Sequence, residues 1–567
     1  MKVRGIRGEE HRASAVGSGE KVRCAARFRP AIMAPMLPAR RQWIVVALAI
    51  LVPLAFAGFT DHAWEDYYIT LRSSRNLLAG HGFVYNPGER LQTYTSPLGA
   101  LVPAACLAAA GGREAAALWL YRILGAGLLG AAAWLAARRA ATLRLGGLGW
   151  AVLFGLAFAD AKLVDFSING QEAALLVFFT VWLWSELEAP AGPAAGRIGA
   201  ACGGLMWTRP DAFLLGAAIL LPHLLAPRAA AAPATGRRTA LWRGLLLGGA
   251  IYLPWFAWAW WYYGTPIPHT IIAKAQITPP VHVGDFLLLP WRTLTGRSML
   301  MDLFLPTYWV YGSWPSLPAF CGYALSVVAA FAWLVPALPP AGRRVSLAVF
   351  LGMFYVCLIV LQPWYAPPWT VLAALAVAFA VDAAAARARA AGRTRVVAVL
   401  RGLVAAAVAV QACVLVASAW EMRVQQRVVE AGVRQPIGDW LHAHARPGDT
   451  VFLEPLGYIG YFSGLKTYDY PGLSSPEVVA AIRAGAGGFS AVIARLQPTW
   501  LVLRPFEIAD PGRPEAAVYR HYELVGTWSV RPQLDAVRFL PGRGWLEHDA
   551  EFLLFRQKPA ARPPAAP

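Results

Sequence analysis

Two adjacent acids, Glu65 and Asp66, open the stretch WEDYYITLRSSRNLLAGHGFVYNPGERLQTYTSPL over residues 64–98, directly after the first long apolar segment of the chain. A carboxylate at the mouth of a helical bundle can deprotonate a hydroxyl or hold a divalent cation, and Asp66 is the first candidate for either task. Carboxylates ordinarily titrate near pH 4, so a base at this position needs careful hydrogen bonding or a raised pKa. Alone, Asp66 reads more simply as an exposed acid starting an interfacial helix over 65–79. Its surroundings shift that reading. Gly80-His81-Gly82 ends the helix with permissive backbone, and Asn86-Pro87-Gly88-Glu89 makes a tight turn before Tyr94-Thr95-Ser96-Pro97. A loop of this length and turn chemistry is folded and has a task.

Further along the chain, Glu172 in Asn169-Gly170-Gln171-Glu172 begins an apolar segment, where an ionisable group suggests function, although an acid also suits a helix N-terminus. Arg209 in Thr208-Arg209-Pro210-Asp211 sits between two half-length apolar runs; it suits an anion site or a pairing with Asp211. Lys274 could neutralise a lipid phosphate or snorkel to the interface, and His269, on the same 266–274 segment, is a site candidate that is as readily structural. Arg72 and Arg75 could bind phosphate, hold headgroups or form local salt bridges. Trp364-Tyr365 suits an aromatic belt, while aromatic faces also stack on sugar rings.

What must position these residues is a bundle. The run 43–59 is long enough for a hydrocarbon core of about 30 Å. Further apolar segments cover 116–137, 146–164, 171–187, 198–208, 212–226, 244–263, 317–338, 345–361, 366–386 and 396–419, which predicts about eleven spans. The shorter run 98–111 suits an interfacial or re-entrant helix. Arginines fall in alternate loops: Arg40 and Arg41; Arg138, Arg139 and Arg144; Arg228, Arg237, Arg238 and Arg243; Arg343 and Arg344; and Arg387, Arg389, Arg393 and Arg395. By the positive-inside rule these are cytoplasmic, and every candidate residue above falls on the other side.

Composition agrees with a polytopic membrane protein. The 567 residues are 57% hydrophobic and only 15% charged, and the net charge of +19 is explained by topology rather than by nucleic acid. None of the six cysteines has zinc-ligand spacing, and no disulfide framework is expected. Residues 1–40 read as a basic, patternless tail, with Met33 or Met36 as an alternative start, and no convincing cleavage site follows the first apolar run. The less apolar region 420–567 reads as a separate extracytoplasmic α/β domain. Its expected helices lie at 438–445 and 476–484 and its strands at 450–454, 500–503, 524–529 and 551–555, before a disordered ARPPAAP end.

The run from Glu65-Asp66-Tyr67-Tyr68-Ile69-Thr70 through Arg75-Asn76-Leu77, Gly80-His81-Gly82-Phe83-Val84-Tyr85-Asn86-Pro87-Gly88-Glu89-Arg90 and Tyr94-Thr95-Ser96-Pro97-Leu98 resembles GT-C membrane glycosyltransferases, above all the mycobacterial terminal arabinofuranosyltransferase family. More distant likenesses are to the lipid A aminoarabinose transferase and the protein O-mannosyltransferases. The match is specific in the first external loop, over 60–97, and weaker at Gly170-Gln171-Glu172, Thr208-Arg209-Pro210 and 268–274. The resemblance implies a GT-C-like bundle over 41–419 in a bacterial plasma membrane. It implies transfer of a sugar, arabinofuranose or a related pentose, from a polyprenyl-phosphate donor to a cell-envelope glycan or glycolipid acceptor outside the cytoplasm. Asp66 matches the catalytic acid, with Glu172 a second acid and Glu65 beside them. Arg72, Arg75, Arg209, His269, Lys274, Tyr94, Trp364 and Tyr365 are the substrate-binding candidates. Glu65 stands where the close family often has aspartate, Gly99 where it often has tryptophan, and His269 where it often has asparagine. No cofactor is fixed by these residues, and a divalent metal stays open.

Two other readings share many of these features. A polyprenyl-lipid or glycolipid transporter would also have many helices, but its charges gather near the midplane and in repeated halves. A glycan-binding scaffold would leave the acidic loop merely structural.

Overall fold

The computed structural model describes residues 39–225, 234–309, 311–358, 362–509 and 513–559. The N-terminal tail with Met33 and Met36, Arg228 of the second basic loop and the closing ARPPAAP lie outside them. Among the described residues, five helices are long and apolar enough to cross a bilayer alone: Gln42–Thr60, Glu114–Thr142, Ser316–Leu334, Pro363–Ala390 and Thr394–His444. The remaining apolar segments are shorter or broken. The run expected to be continuous over 146–164 stops short of its end, because the Asp160 carboxylate accepts from the Leu163 amide at 2.9 Å and caps a new helix, Ala161–Ile168. That helix is joined to Ala173–Leu187 through a bend of 115°. Ala195–Thr208 and Phe213–Leu225 are separated by the 3-10 turn Pro210–Ala212, at the polar break expected there.

Small residues let the helices approach closely, as lipid-embedded packing requires. On Glu114–Thr142 the buried face is largely alanine and glycine, and a Cβ at Gly130 would come within 2.6 Å of Ile50. Between Ala195–Thr208 and Ala234–Tyr263, a Cβ at Gly248 would sit 2.7 Å from that of Cys202.

Helix Ala173–Leu187 fixes which residues share an end of the bundle. At its C-terminus Arg139 bonds the Ser185 hydroxyl at 3.4 Å, Arg237 donates to the Leu187 carbonyl at 3.1 Å and Arg344 grips Glu188 at 2.5 Å. Arginines from the ends of three separate helices, Glu114–Thr142, Ala234–Tyr263 and Pro340–Leu358, therefore meet there. Glu172 stands at the opposite end, together with Asp66.

Beyond that end the chain forms a five-stranded sheet. Its strands are β1 (Thr450–Leu453), β2 (Lys466–Asp469), β3 (Trp500–Leu503), β4 (Tyr522–Ser529) and β5 (Glu551–Gln557), in the order β2-β1-β3-β5-β4. β1 runs parallel to β2 and β3, with Val451 opposite both Thr467 and Trp500; β5 runs antiparallel to β3 and β4. The parallel crossovers carry Gly457–Ser463 and then Pro476–Arg483 with Gly488–Leu496.

The helix Gly457–Ser463 docks on Glu65–Leu78. Arg72, buried, donates through Nε to the Tyr85 carbonyl at 3.0 Å, through Nη1 to Gly460 at 2.5 Å and through Nη2 to Leu465 at 2.9 Å. The Tyr85 hydroxyl donates to the Leu456 carbonyl at 3.0 Å, and the Gly457 amide donates to Glu65 at 2.8 Å. No side chain fits at this contact: a Cβ on Gly457 would lie 2.1 Å from the Glu65 carbonyl oxygen, and one on Gly460 would lie 2.0 Å from the Tyr85 hydroxyl.

Replacing Arg72 with alanine leaves several buried carbonyls without donors, and each costs about 1–3 kcal/mol. Arg72→Ala is therefore expected to unfold at clearly lower temperature than wild type by tryptophan fluorescence in detergent; an unchanged midpoint would contradict the clamp.

Candidate active site

Asp66 lies in the first turn of Glu65–Leu78. Just before it, the Trp64 amide donates to the Asn169 carbonyl at 2.9 Å and draws the bend between Ala161–Ile168 and Ala173–Leu187 against this turn. Gly170 makes that approach possible. Its φ is +100°, and a Cβ there would fall 2.4 Å from the Cβ of Tyr67. Gln171 and Glu172 are thereby brought to the same cavity as Asp66.

The second wall is a buried ion network. Arg209 donates through Nη1 to Glu172 at 2.8 Å, through Nε to Asp211 at 3.1 Å and through Nη2 to the Tyr365 hydroxyl at 2.5 Å. Tyr355 completes it by donating to the second Asp211 oxygen at 2.5 Å. Arg209 thus makes the pairing with Asp211 that the sequence allowed, and it also lines the cavity. Lys274, on His269–Ile277, places its ammonium 5.8 Å from the centroid of the Trp364 ring and makes no ion pair among the described residues.

Asp66, Glu172, Arg209, Lys274, Tyr94, Trp364 and Tyr365 therefore line one narrow cavity of about 70 Å³. Trp364 and Tyr365 are among the residues that line this cavity. Tyr94 is held by a 2.7 Å hydrogen bond to the Tyr263 hydroxyl, and Thr95 and Thr270 are joined at 2.9 Å. Burial raises the Asp66 pKa above the usual carboxylate range, and the charge of Lys274 offsets part of that rise. Burial lowers the Lys274 pKa, and Asp66 opposes it.

The other candidates lie elsewhere. Glu65 is one residue, and so about 100° of helix, from Asp66; it faces the Gly457 amide and Arg434, 3.5 Å away, and burial pushes its pKa up to about 8. Arg72 has its donors on main-chain carbonyls and the Asn86 side chain, so it clamps the loop to the sheet region. Arg75 lies over the Tyr461 ring at 4.2 Å. His269 is buried against Pro476–Arg483, with Nε2 unbonded among the described residues, in a different cavity. Gln171, Thr93, Thr95, Ser96 and Thr270 are cavity residues that the sequence did not single out individually, though all but Thr93 fall within motifs it marked. Among the described residues, no group of three or more His, Cys, Asp or Glu side chains is placed to hold a metal ion.

Residues 420–552 match a family described as a domain of unknown function, DUF8728. The chain is 30% identical over 294 residues to the terminal β-(1→2)-arabinofuranosyltransferase of Corynebacterium glutamicum, covering 45% of this chain and 40% of that one. It is also 30% identical over 256 residues to the terminal β-(1→2)-arabinofuranosyltransferase of Mycobacterium tuberculosis, covering 41% and 38%. The chain therefore spans about two fifths of the length of the curated relatives it matches. Among solved structures, ArnT from Cupriavidus metallidurans bound to undecaprenyl phosphate superimposes with a TM-score of 0.50 at 14% identity, over 93% of this chain and 100% of that one. The chain is a membrane protein with this GT-C-type fold, and its sequence is similar to terminal arabinofuranosyltransferases.

Gly170→Ala is expected to combine a strained φ with a clash against Tyr67, on the order of 3 kcal/mol together. The variant should lose thermal stability in detergent and fail to keep the Glu172 wall in place, whereas a wild-type melting curve would show that the bend tolerates a side chain.

Proposed function

We propose that this chain is a membrane glycosyltransferase that moves a sugar, arabinofuranose or a related pentose, from a polyprenyl-phosphate donor to a cell-envelope glycan or glycolipid. The observation that carries this reading is the placement of half-buried Asp66 and of Lys274, which makes no ion pair among the described residues, in one cavity beside an apolar groove. That groove, about 610 Å³, is lined by Leu214, Leu221, Leu245, Phe286 and Phe354 and ends at Tyr355, whose hydroxyl holds Asp211 of the ion network. An apolar carrier tail fits the groove and its phosphate fits the charged end. The names of the sequence relatives and the lipid carrier bound by ArnT support the same direction.

In this reading Asp66 takes the proton from the acceptor hydroxyl as its oxygen attacks the anomeric carbon. The bond from that carbon to the carrier phosphate breaks, and the electron pair leaves with the phosphate, where Lys274 stabilises the charge. Arg209 is bonded to Glu172, Asp211 and Tyr365, so its part is to position the wall rather than to meet the phosphate directly. The basic end of the bundle is cytoplasmic, the eleven apolar segments lie within 41–419 in the inner membrane, and 420–567 is an extracytoplasmic α/β domain.

The test is transfer of radiolabelled sugar from a panel of polyprenyl-phosphate donors to envelope glycan by purified protein. Asp66→Asn, nearly isosteric, should lower kcat by about 10²–10⁴ with the fold intact; full activity in that variant would remove Asp66 from the mechanism. The base form of Asp66 is lost as pH falls through its raised pKa, which sets the acidic limb of kcat/KM. Lys274→Met removes the charge that holds this pKa down, so the limb should move to higher pH. A limb that stays, or moves to lower pH, would contradict the pairing.

A further inference from the structure

Across the turn Pro363–Tyr365 from the Asp66 cavity lies a second, larger one. Trp364 and Tyr365 face the first cavity, whereas Pro363 and Gln362 face the second. The second has a volume of about 350 Å³, within the roughly 300–1,000 Å³ typical of small-ligand sites. Its walls carry Lys162, Asp302, Tyr308, Trp309 and Tyr311. None of these has a part in the chemistry described above.

Lys162 is the unusual member. It is only 1% exposed, on Ala161–Ile168 just before the bend that carries Glu172. The carboxylates nearest in its electrostatic surroundings are Asp160 and Asp302, yet among the described residues its ammonium makes neither a hydrogen bond nor an ion pair with them. Asp160 is already bonded to the Leu163 amide at 2.9 Å and to Gln411 at 2.8 Å. Asp302 accepts from the Trp309 indole at 2.9 Å, and its second oxygen has no hydrogen-bond partner among the described residues. The donors of the ammonium are therefore free toward the cavity, where a ligand that supplies acceptors would be held.

The charge pattern selects the ligand class. An anion would meet Lys162 but would also face Asp302, with Asp160 close behind Lys162. An apolar chain would strip water from Lys162 and Asp302 without replacing it. A neutral polyhydroxylated ring can accept from the ammonium and donate to the carboxylate at once, and can lay its C–H face on Trp309 or Tyr311. The rim leads in the same direction. Tyr308 stacks on Trp545 with ring centroids 3.7 Å apart, and the Gly542 amide donates to the Gly312 carbonyl at 2.5 Å, so the mouth of the cavity is built jointly with the sheet-bearing region.

We propose that this cavity is a subsite for a neutral sugar residue of the acceptor glycan, next to but separate from the Asp66 cavity. The assignment rests on the transferase reading for the word acceptor, and on the cavity's own geometry for the sugar.

The experiment uses the full chain in nanodiscs and a short soluble arabinofuranosyl oligosaccharide. Binding is read by saturation-transfer NMR, and the donor and acceptor KM values by transfer from a polyprenyl-phosphate donor. Lys162→Met, Asp302→Asn and Trp309→Leu should each raise the oligosaccharide Kd and the acceptor KM by about tenfold while the donor KM stays within about twofold, since one hydrogen bond to a charged group is lost or one stacking face removed. Lys162→Met carries a folding risk because the residue is buried; the partly exposed Trp309→Leu, checked by its melting curve, keeps the test decisive. An unchanged acceptor KM and Kd in folded Trp309→Leu and Asp302→Asn would overturn the subsite, as would a wild type that binds no oligosaccharide. A wild type that transfers from no donor, yet binds oligosaccharide in a way the three substitutions weaken, would overturn the transferase reading and uphold a glycan site.

Discussion

One buried guanidinium joins three of the places where the bundle departs from regular helix. Arg209 holds Glu172 at the bend after Ala161–Ile168, Asp211 at the turn between Ala195–Thr208 and Phe213–Leu225, and Tyr365 at the turn before Ala366–Ala390. Each of these breaks exposes main-chain groups that straight helices would satisfy internally, and breaks at membrane depth are tolerated where protein or a cavity supplies partners. Lysine could not do this, because only the planar fork of arginine presents several donors in fixed directions. Two carboxylates around one arginine also keep the local charge negative enough to need Lys274 nearby. Lys274, which makes no ion pair among the described residues, is in that sense set by the network behind it.

The first loop and the sheet are mutually dependent. Arg72 and Tyr85 take their partners from Leu456, Gly460 and Leu465, while Gly457 and Gly460 are small because Glu65 and Tyr85 press on them. Asp66 is thus aimed by contacts on the other face of its own helix. The long helix Thr394–His444 runs from the bundle to the sheet without a change of chain direction, passing through a wider turn over Gln425–Arg434. Burial of Arg434 against Glu430 at 2.8 Å and Asp549 at 2.5 Å anchors its far end to the last strand region.

Much of this was legible in residue order. Turn chemistry marked the 64–98 loop as folded, Arg209-Pro210-Asp211 marked a break, and alternating arginine loops marked one end of the bundle. These signals are local, carried by Gly, Pro and charge. What could not be read is pairing across distance. Nothing near Arg72 says that its acceptors lie at 460–465, and a single arginine beside a serine-rich helix reads equally as a phosphate ligand. Lys162 looked like the end of an apolar segment, since Asp302 is far away in the chain. β2, the four residues KTYD, has no hydrophobic alternation of its own and owes its existence to β1 beside it.

The Arg72 clamp also sets an order of events during synthesis. The guanidinium and its Gly460 acceptor are 388 residues apart. A ribosome adding roughly 5–20 residues per second needs on the order of 20–80 s to deliver the second after the first. Throughout that interval the first loop has been inserted with only the Tyr85 carbonyl and the Asn86 side chain, both its own, as acceptors for Arg72. A nascent chain interrupted before residue 460 thus carries every bundle residue of the cavity without the Gly460 and Leu465 contacts that brace the helix of Asp66.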